Sequence, residues 1–595
     1  MPFISVILPL RLDWQPVYRT ASGIPPGTVL EVPFGRKKYL GVVEAEVGAP
    51  QEVGRVLEAG EISPLWQFSP ETLDLWRFIA GYYMCTIGEV FKAALPASRR
   101  KEAAAAMRRT EAARLREKKR SEALEAKVSA LRVRISLKEQ ALADCSGRAV
   151  KRKAALEDQI RSLLSDLEKL QTATVSQMSL DIPQTPPVSA AEMDLAASLM
   201  SVTSKPAVLF DYNAERRLKV YSAVISRIFE TGKSVLLLMP DDKSASDALR
   251  LLDGHRNLTA GTRNSLLAPP AGLGAIIIDS EESRSYKQYT PAPRFNARDC
   301  AAVLGRLLGC PVIFGSGTPS CETLYNCSCG KYAMVRAPRS RMADVSIVDI
   351  SAEKMKRGVS GSFTFKAIAA IQKELGQGKN PVVFTSKYSD IQKLTAEISL
   401  LFPSAVPIVS ALSDIPDGTS LIVLPDADRL FPGLDFRSDE RAAVLFWKLR
   451  YMAGRHEGGH MLIQTGKSTH PVFMALEKGT YEELMPSILK ERLEFGYPPY
   501  KRLVHISVRG NDAAGAEILA NAIARKLSGT VSQAEVSGPE PSYLPQDSGD
   551  AAFRIRITFD RSVSPAPVKK EIAGILGGLV PDRGRLSVTI DADPV

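Results

Sequence analysis

The sequence predicts an α/β protein of several domains, and three observations carry that prediction. The chain has 595 residues, which at roughly 150 residues per domain is a prior of about four domains. It is 45% hydrophobic and 24% charged, the balance of a globular chain rather than a disordered or fibrous one. From about residue 206 to 475, strand-sized apolar runs alternate with helical periodicity. That is the texture of parallel sheets covered by helices.

Residues 1–98 read as a β-rich domain. Strands are expected at Ile4–Leu8, Val29–Phe34 and Lys38–Val43, divided by the turn signals Pro25-Pro26-Gly27 and Gly35. A helix is expected to start at Pro70, with Leu73, Trp76, Phe78 and Ile79 facing inward.

Residues 99–175 differ in kind. No proline occurs between Ser98 and Pro183. Leu124, Val128, Leu131, Ile135 and Leu142 recur at heptad-like steps, as do Leu156, Ile160, Leu163, Leu167 and Leu170. Asp144-Cys145-Ser146-Gly147 supplies a turn between the two runs, which gives an antiparallel coiled-coil hairpin. Residues 99–170 hold 20 basic against 11 acidic residues, a net of +9 out of +11 for the whole chain. Charge so concentrated suits a polyanion, nucleic acid first. A solvated helix pair that docks a protein partner carries the same pattern, so a scaffold role stays open.

Residues 176–345, opening with a Pro-rich linker, and 346–475 read as two parallel-sheet domains. Their strands are expected at Val235–Met239, Ala275–Ile278, Val312–Phe314, Val382–Phe384, Leu421–Leu424 and His460–Gln464. Residues 476–595 read as an α+β domain, with strands at Leu503–Val508, Phe553–Phe559 and Ser587–Ile590 between helices.

Some function classes recede on composition. Seven scattered cysteines, an odd number, read as reduced thiols of an intracellular protein. No apolar run approaches the roughly 18 residues of a membrane span, and the N-terminus lacks a basic lead. A cytoplasmic, nucleoid-associated protein is expected, with no membrane partner. Cys327-x-Cys329 has no second pair, and the five histidines have no metal-ligand spacing, so no metal site is expected.

An ordered set of motifs then resembles the primosomal protein N′ (PriA) family, superfamily 2 DNA helicases of replication restart. The set runs Leu8-Pro9-Leu10, Val32-Pro33-Phe34-Gly35-Arg36, Tyr82 to Val90 and Ala94-Leu95-Pro96. It continues through Gly261-Thr262-Arg263, Ser285 to Gln288, Arg294 to Asp299 and Gly315 to Pro319. Asp435-Phe436-Arg437-Ser438, Gln464-Thr465, Tyr497-Pro498-Pro499, Gly538-Pro539 and Ile590 to Pro594 complete it.

The resemblance implies a domain for a 3′ DNA end at 1–98, two RecA-like helicase lobes at 176–345 and 346–475, and a C-terminal domain at 476–595. The coiled-coil hairpin of 99–175 stands in place of a winged helix. Family cofactors are ATP, magnesium and zinc; none is expected here. The phosphate-binding loop falls at Asp211 to Leu218, without glycine, with Arg217 in place of the lysine and Leu218 in place of the metal-binding hydroxyl. The Asp-Glu-Glu-His motif reads Asp279-Ser280-Glu281-Glu282, and the arginine-finger motif keeps Arg455 but has Met452. Arg217, Asp279, Glu281 and Arg455 are therefore vestigial positions, and the cysteines of the zinc insertion expected after Ser389 are absent. Tyr18, Gly35, Arg36, Lys37 and Lys38 match the DNA-binding loop, although Pro16-Val17 departs from the family pattern. With them, Arg99, Arg100, Lys101, Arg108, Arg109, Arg116, Lys118, Lys119 and Arg120 are the candidate DNA contacts. The reading is a DNA-binding protein of primosome assembly at forked or single-stranded DNA, without ATPase activity. An active 3′→5′ helicase and a coiled-coil scaffold are its alternatives.

Overall fold

The computed structural model describes residues 2–49, 56–96, 129–130, 133–143, 159, 161–164, 188–252, 257–356, 358–431, 435–478, 480–542, 551–579 and 586–594.

The N-terminal strands are β1 (Phe3–Ile7), β2 (Val17–Arg19), β3 (Thr28–Phe34), β4 (Lys37–Val47) and β5 (Ile62–Gln67). They form one antiparallel sheet in the order β2-β1-β4-β3-β5. Ile4, Val6, Leu30, Val32 and Val43 fill its core. Phe34 pairs with Lys37, so the β3–β4 hairpin turns on Gly35-Arg36 alone. Gly35 has φ of +61°, a left-handed position that a tight two-residue turn demands and glycine adopts freely.

Ser69 caps the helix Pro70–Tyr82, its side chain accepting from the Thr72 N–H. The helix buries Leu73, Leu75, Trp76 and Ile79. Phe78, expected inward, lies at the margin of that stripe, half-buried and stacked on Tyr82 at 5.3 Å. The Trp76 indole donates to the Leu267 carbonyl at 2.8 Å, at the end of the 3-10 helix Arg263–Leu267.

Residues 129–130, 133–143, 159 and 161–164 are helical. The expected turn at 144–147 and most of the hairpin lie outside the described residues.

The first parallel sheet comprises β6 (Ala207–Phe210), β7 (Ser234–Leu238), β8 (Leu258–Gly261), β9 (Leu273–Asp279), β10 (Val312–Ser316) and β11 (Ala333–Arg336). Its order is β11-β6-β10-β9-β7-β8, every pair parallel. All residues of β7, β9 and β10 are buried, as strands covered on both faces must be. The helix Ala214–Glu230 follows β6, and the Asn213 side chain caps it by accepting from the Arg216 N–H.

After β12 (Asp344–Asp349) comes a small hairpin of β13 (Val359–Ser360) and β14 (Phe363–Thr364). The second parallel sheet adds β15 (Asn380–Phe384), β16 (Ile408–Val409), β17 (Thr419–Leu424) and β18 (His460–Thr465), in the order β12-β18-β17-β15-β16. The helix Ser438–Gly454 packs on β17 and β18 through Ala442, Phe446, Trp447 and Leu449.

The C-terminal strands are β19 (Lys501–Gly510), β20 (Glu535–Pro541), β21 (Ala551–Asp560) and β22 (Leu586–Ala592), antiparallel in the order β20-β21-β19-β22. The helices Ala513–Thr530 and Pro565–Leu579 alternate with them, giving a split β-α-β motif. Among the described residues, no helix is long and apolar enough to cross a membrane.

Candidate nucleotide cleft and nucleic-acid interface

A nucleotide-hydrolysing cleft on a parallel sheet needs free backbone N–H groups at a helix start, a cation for phosphate and a carboxylate open to metal. Here the chain's own side chains fill those positions. Arg217, in the first turn of the helix Ala214–Glu230, is buried. Its Nε donates to Asp279 Oδ1 at 2.6 Å and its Nη2 to Oδ2 at 3.0 Å, while Nη1 donates to the Asp211 carbonyl at 2.7 Å. Tyr221, one turn further on, donates its hydroxyl to Asp279 Oδ1 at 2.8 Å, and Ser280 Oγ donates to Oδ2 at 2.9 Å. An ionised carboxylate has about four acceptor sites, and those of Asp279 are all taken.

Burial alone would push the Asp279 carboxyl up. The Arg217 charge and the hydrogen bonds from Arg217, Tyr221 and Ser280 outweigh it and hold the group below its ordinary range. Arg217 is held in the charged form, its own burial offset by Asp279. Ser280 itself has φ of +52°, an uncommon left-handed conformation for a non-glycine residue.

The surroundings match this latch. A Cβ at Gly315 would lie 1.7 Å from the Tyr221 hydroxyl oxygen, and one at Gly317 would lie 2.6 Å from Tyr212 Cα. Gly315 lies inside β10, beyond the strand expected at Val312–Phe314, and makes room for Tyr221. Asp211 is likewise occupied, accepting from the Asn213 N–H at 2.9 Å and from Arg216 Nε and Nη2 at 2.6 and 2.5 Å.

The second parallel-sheet unit closes the other side. The Tyr212 ring lies 5.9 Å from that of Tyr451, 26° from parallel. Lys448 Nζ pairs with Glu282 Oε1 at 2.5 Å, and Ser316 Oγ donates to Glu282 Oε2 at 2.6 Å. Arg455 is half-exposed, 3.6 Å from Glu215 and 3.5 Å from Asp417. Glu281 turns away from Asp279 and accepts from Arg298 Nη1 at 3.2 Å and the Ser320 N–H at 2.7 Å. Burial pushes its carboxyl up, with Arg298 offsetting only part of the shift.

Between the two units lies a cavity of about 240 Å³, below the roughly 300–1,000 Å³ of ordinary ligand pockets. Its charged lining is largely self-paired: Glu281 with Arg298, Glu282 with Lys448, and Glu322 with Arg437 at 2.8 Å. The phosphate cation and the metal carboxylate bind each other, and Leu218, at the hydroxyl's place, packs with the apolar core.

The other candidates divide. Tyr18 is not on the surface: it is 2% exposed, and its hydroxyl donates to the Pro33 carbonyl at 2.8 Å. Burial pushes its pKa up to about 12. The short strand β2 turns it into the sheet core, a register that Val17-Tyr18-Arg19 does not reveal by itself. Gly35, Arg36, Lys37 and Lys38 are exposed on the β3–β4 hairpin, and Lys38 pairs with Glu31 at 3.0 Å. Arg99, Arg100, Lys101, Arg108, Arg109, Arg116, Lys118, Lys119 and Arg120 lie outside the described residues. Sequence reasoning missed Tyr221, whose position one helical turn after Arg217 was a usable signal.

The comparisons with known proteins bear on both ends of the chain. The PriA 3'DNA-binding domain (3'BD) family matches residues 5–96, and the primosomal protein N C-terminal domain family matches residues 493–595. Replication restart protein PriA of Bacillus subtilis is 22% identical over 517 residues, covering 66% of this chain and 64% of that protein. That of Chlamydia trachomatis is 27% identical over 247 residues, 36% of this chain and 33% of that one. That of Haemophilus influenzae is 22% identical over 500 residues, 64% of this chain and 68% of that one. The chain thus spans less than two thirds of the length of the Bacillus and Chlamydia relatives. Among solved structures, the DUF1998 helicase MrfA bound to DNA aligns at a TM-score of 0.33 and 13% identity, over 64% of this chain and 57% of that one; nothing about activity follows from so low a score. PriA domains thus match this chain at both ends, and its relatives of that name come from several bacterial genera.

Proposed function

We propose that this protein binds forked or single-stranded DNA in replication restart without hydrolysing ATP. The Arg217–Asp279 ion pair carries the second half of that reading: it joins the two side chains that a working site would turn toward phosphate and metal. The first half rests on the match of residues 5–96 to a DNA-binding domain and on the net +9 of residues 99–170. Family relationship also suggests primosome proteins as partners. In this reading the two parallel-sheet units form a fixed frame that presents DNA-contacting surfaces, and DNA binding needs no nucleotide.

Binding isotherms on a forked duplex and on a single strand, with and without magnesium–ATP, test it. The expected curves superimpose in the two conditions and weaken with salt. Affinity that changes severalfold on adding ATP would refute the nucleotide-independent frame. Absence of DNA binding at low salt would refute the DNA-binding role.

A further inference from the structure

Two domains that work around a ligand close when its contacts reach both of them and part when it leaves. In this chain side chains bridge the gap. Lys448, on the helix Ser438–Gly454 of the second parallel-sheet unit, pairs with Glu282 of the first, and Ser316 holds the other oxygen of that carboxylate. The Glu282 side chain is 2% exposed, so solvent ions screen the pair weakly. Glu282 stands where the Asp-Glu-Glu-His motif has histidine, and only an anion there meets the Lys448 ammonium as a full opposite charge. On the same helix, Glu440 accepts at Oε1 from the Cys321 N–H at 2.7 Å, at the start of the helix Cys321–Ser328 of the first unit. The Tyr481 hydroxyl donates to the Pro319 carbonyl at 3.0 Å. Cys321 is buried in one apolar core with Trp447 and Met485, and its Sγ lies 3.5 Å from Met485 Sδ.

A charge pair, hydrogen bonds and a shared core thus cross the seam, each made by the chain's own residues. We propose that the Glu282–Lys448 pair latches the two parallel-sheet units shut, and that the seam stays closed whether or not nucleotide or DNA is bound. The latch rests on the fixed frame proposed above and assigns a residue pair to it.

Two native thiols report on the seam. Cys321 is 0% exposed within the shared core, and Cys300, also 0% exposed, lies in the helix Ala297–Leu308 outside that core. The test alkylates the native full chain with iodoacetamide, alone, with magnesium–ATP and with forked DNA, and reads each cysteine by mass spectrometry. Cys321 is expected to react no faster than Cys300 in all three conditions, since both then wait for the same rare unfolding. Lys448→Glu sets a second carboxylate against Glu282 and should speed Cys321 over Cys300 about tenfold. Adding Glu282→Lys restores an opposite-charge pair and should return the wild-type rate. Faster reaction at Cys321 than at Cys300 in wild type, alone or with DNA, would overturn the closed seam while leaving nucleotide-independent DNA binding in place. Faster reaction only with magnesium–ATP would overturn the nucleotide-independent frame as well. An unchanged Cys321 rate in Lys448→Glu, or no recovery in the charge swap, would show that this pair is not the latch.

Discussion

Arg217 and Asp279 stand 62 residues apart in sequence and form a two-pronged, buried ion pair across the end of the first parallel sheet. Each neutralises the charge of the other. Replacing one partner of a buried pair strands the other charge, at a cost of about 3–5 kcal/mol. Arg217→Leu and Asp279→Leu should each destabilise the protein by that order, read as a lower midpoint in urea unfolding. Replacing both by leucine should cost far less than the sum of the two. Equal, additive effects would mean that the pair is not a structural unit.

Gly315 gives an independent probe of the same latch. With a Cβ 1.7 Å from the Tyr221 hydroxyl, Gly315→Ala must displace Tyr221 from Asp279. A loss of about 1–3 kcal/mol is expected in urea unfolding. Pairing the change with Tyr221→Phe, which removes the clashing oxygen, should recover part of it.

A second charge network predicts acid sensitivity. Glu322 lies 2.8 Å from Arg437 and 3.2 Å from Arg492, and Arg492 lies 2.6 Å from Glu440. Burial alone would push the Glu322 carboxyl up, but the arginines Arg437, Arg492 and Arg298 bring it down to about 2. A carboxyl depressed in the folded state stabilises the fold fully above its unfolded value of about 4.3 and loses that contribution as pH falls toward 2. Stability should therefore drop between about pH 4.3 and 2, and the drop should be smaller in Glu322→Gln. An identical acid limb in the variant would remove Glu322 as its cause.

Much of the scaffold was legible because its signals are local. The buried strands β7, β9, β17 and β18 read as apolar runs, and Ser69-Pro70 marks a capped helix start. The candidate site was legible only in part. Lost glycines and a lost hydroxyl can be seen in residues 211–218, but nothing local says that Arg217 reaches Asp279, since that contact depends on how β6 and β9 flank β10. Tyr18 was misplaced for a related reason: three residues of strand do not fix which face turns inward. Glu282 and Lys448 meet only because separate parallel-sheet units face each other.

The basic run outside the described residues gives a prediction from sequence alone. Ten of its basic residues fall between Arg99 and Arg120. Each phosphate contact contributes about −0.9 to the log–log salt slope on duplex and about −0.7 on single strands. If four or five of these side chains touch phosphates, replacing all ten by glutamine should flatten the slope by about 3–4 units, whatever the DNA sequence. Superimposable curves for the two proteins would point instead to the scaffold role for this segment.

The most direct test of the account is titration calorimetry of the full-length protein with magnesium–ATP, followed by a hydrolysis assay on forked DNA. The account predicts no saturable heat up to millimolar nucleotide and no phosphate release above the protein-free rate. Saturable binding together with DNA-stimulated hydrolysis that Arg217→Ala abolishes would contradict it.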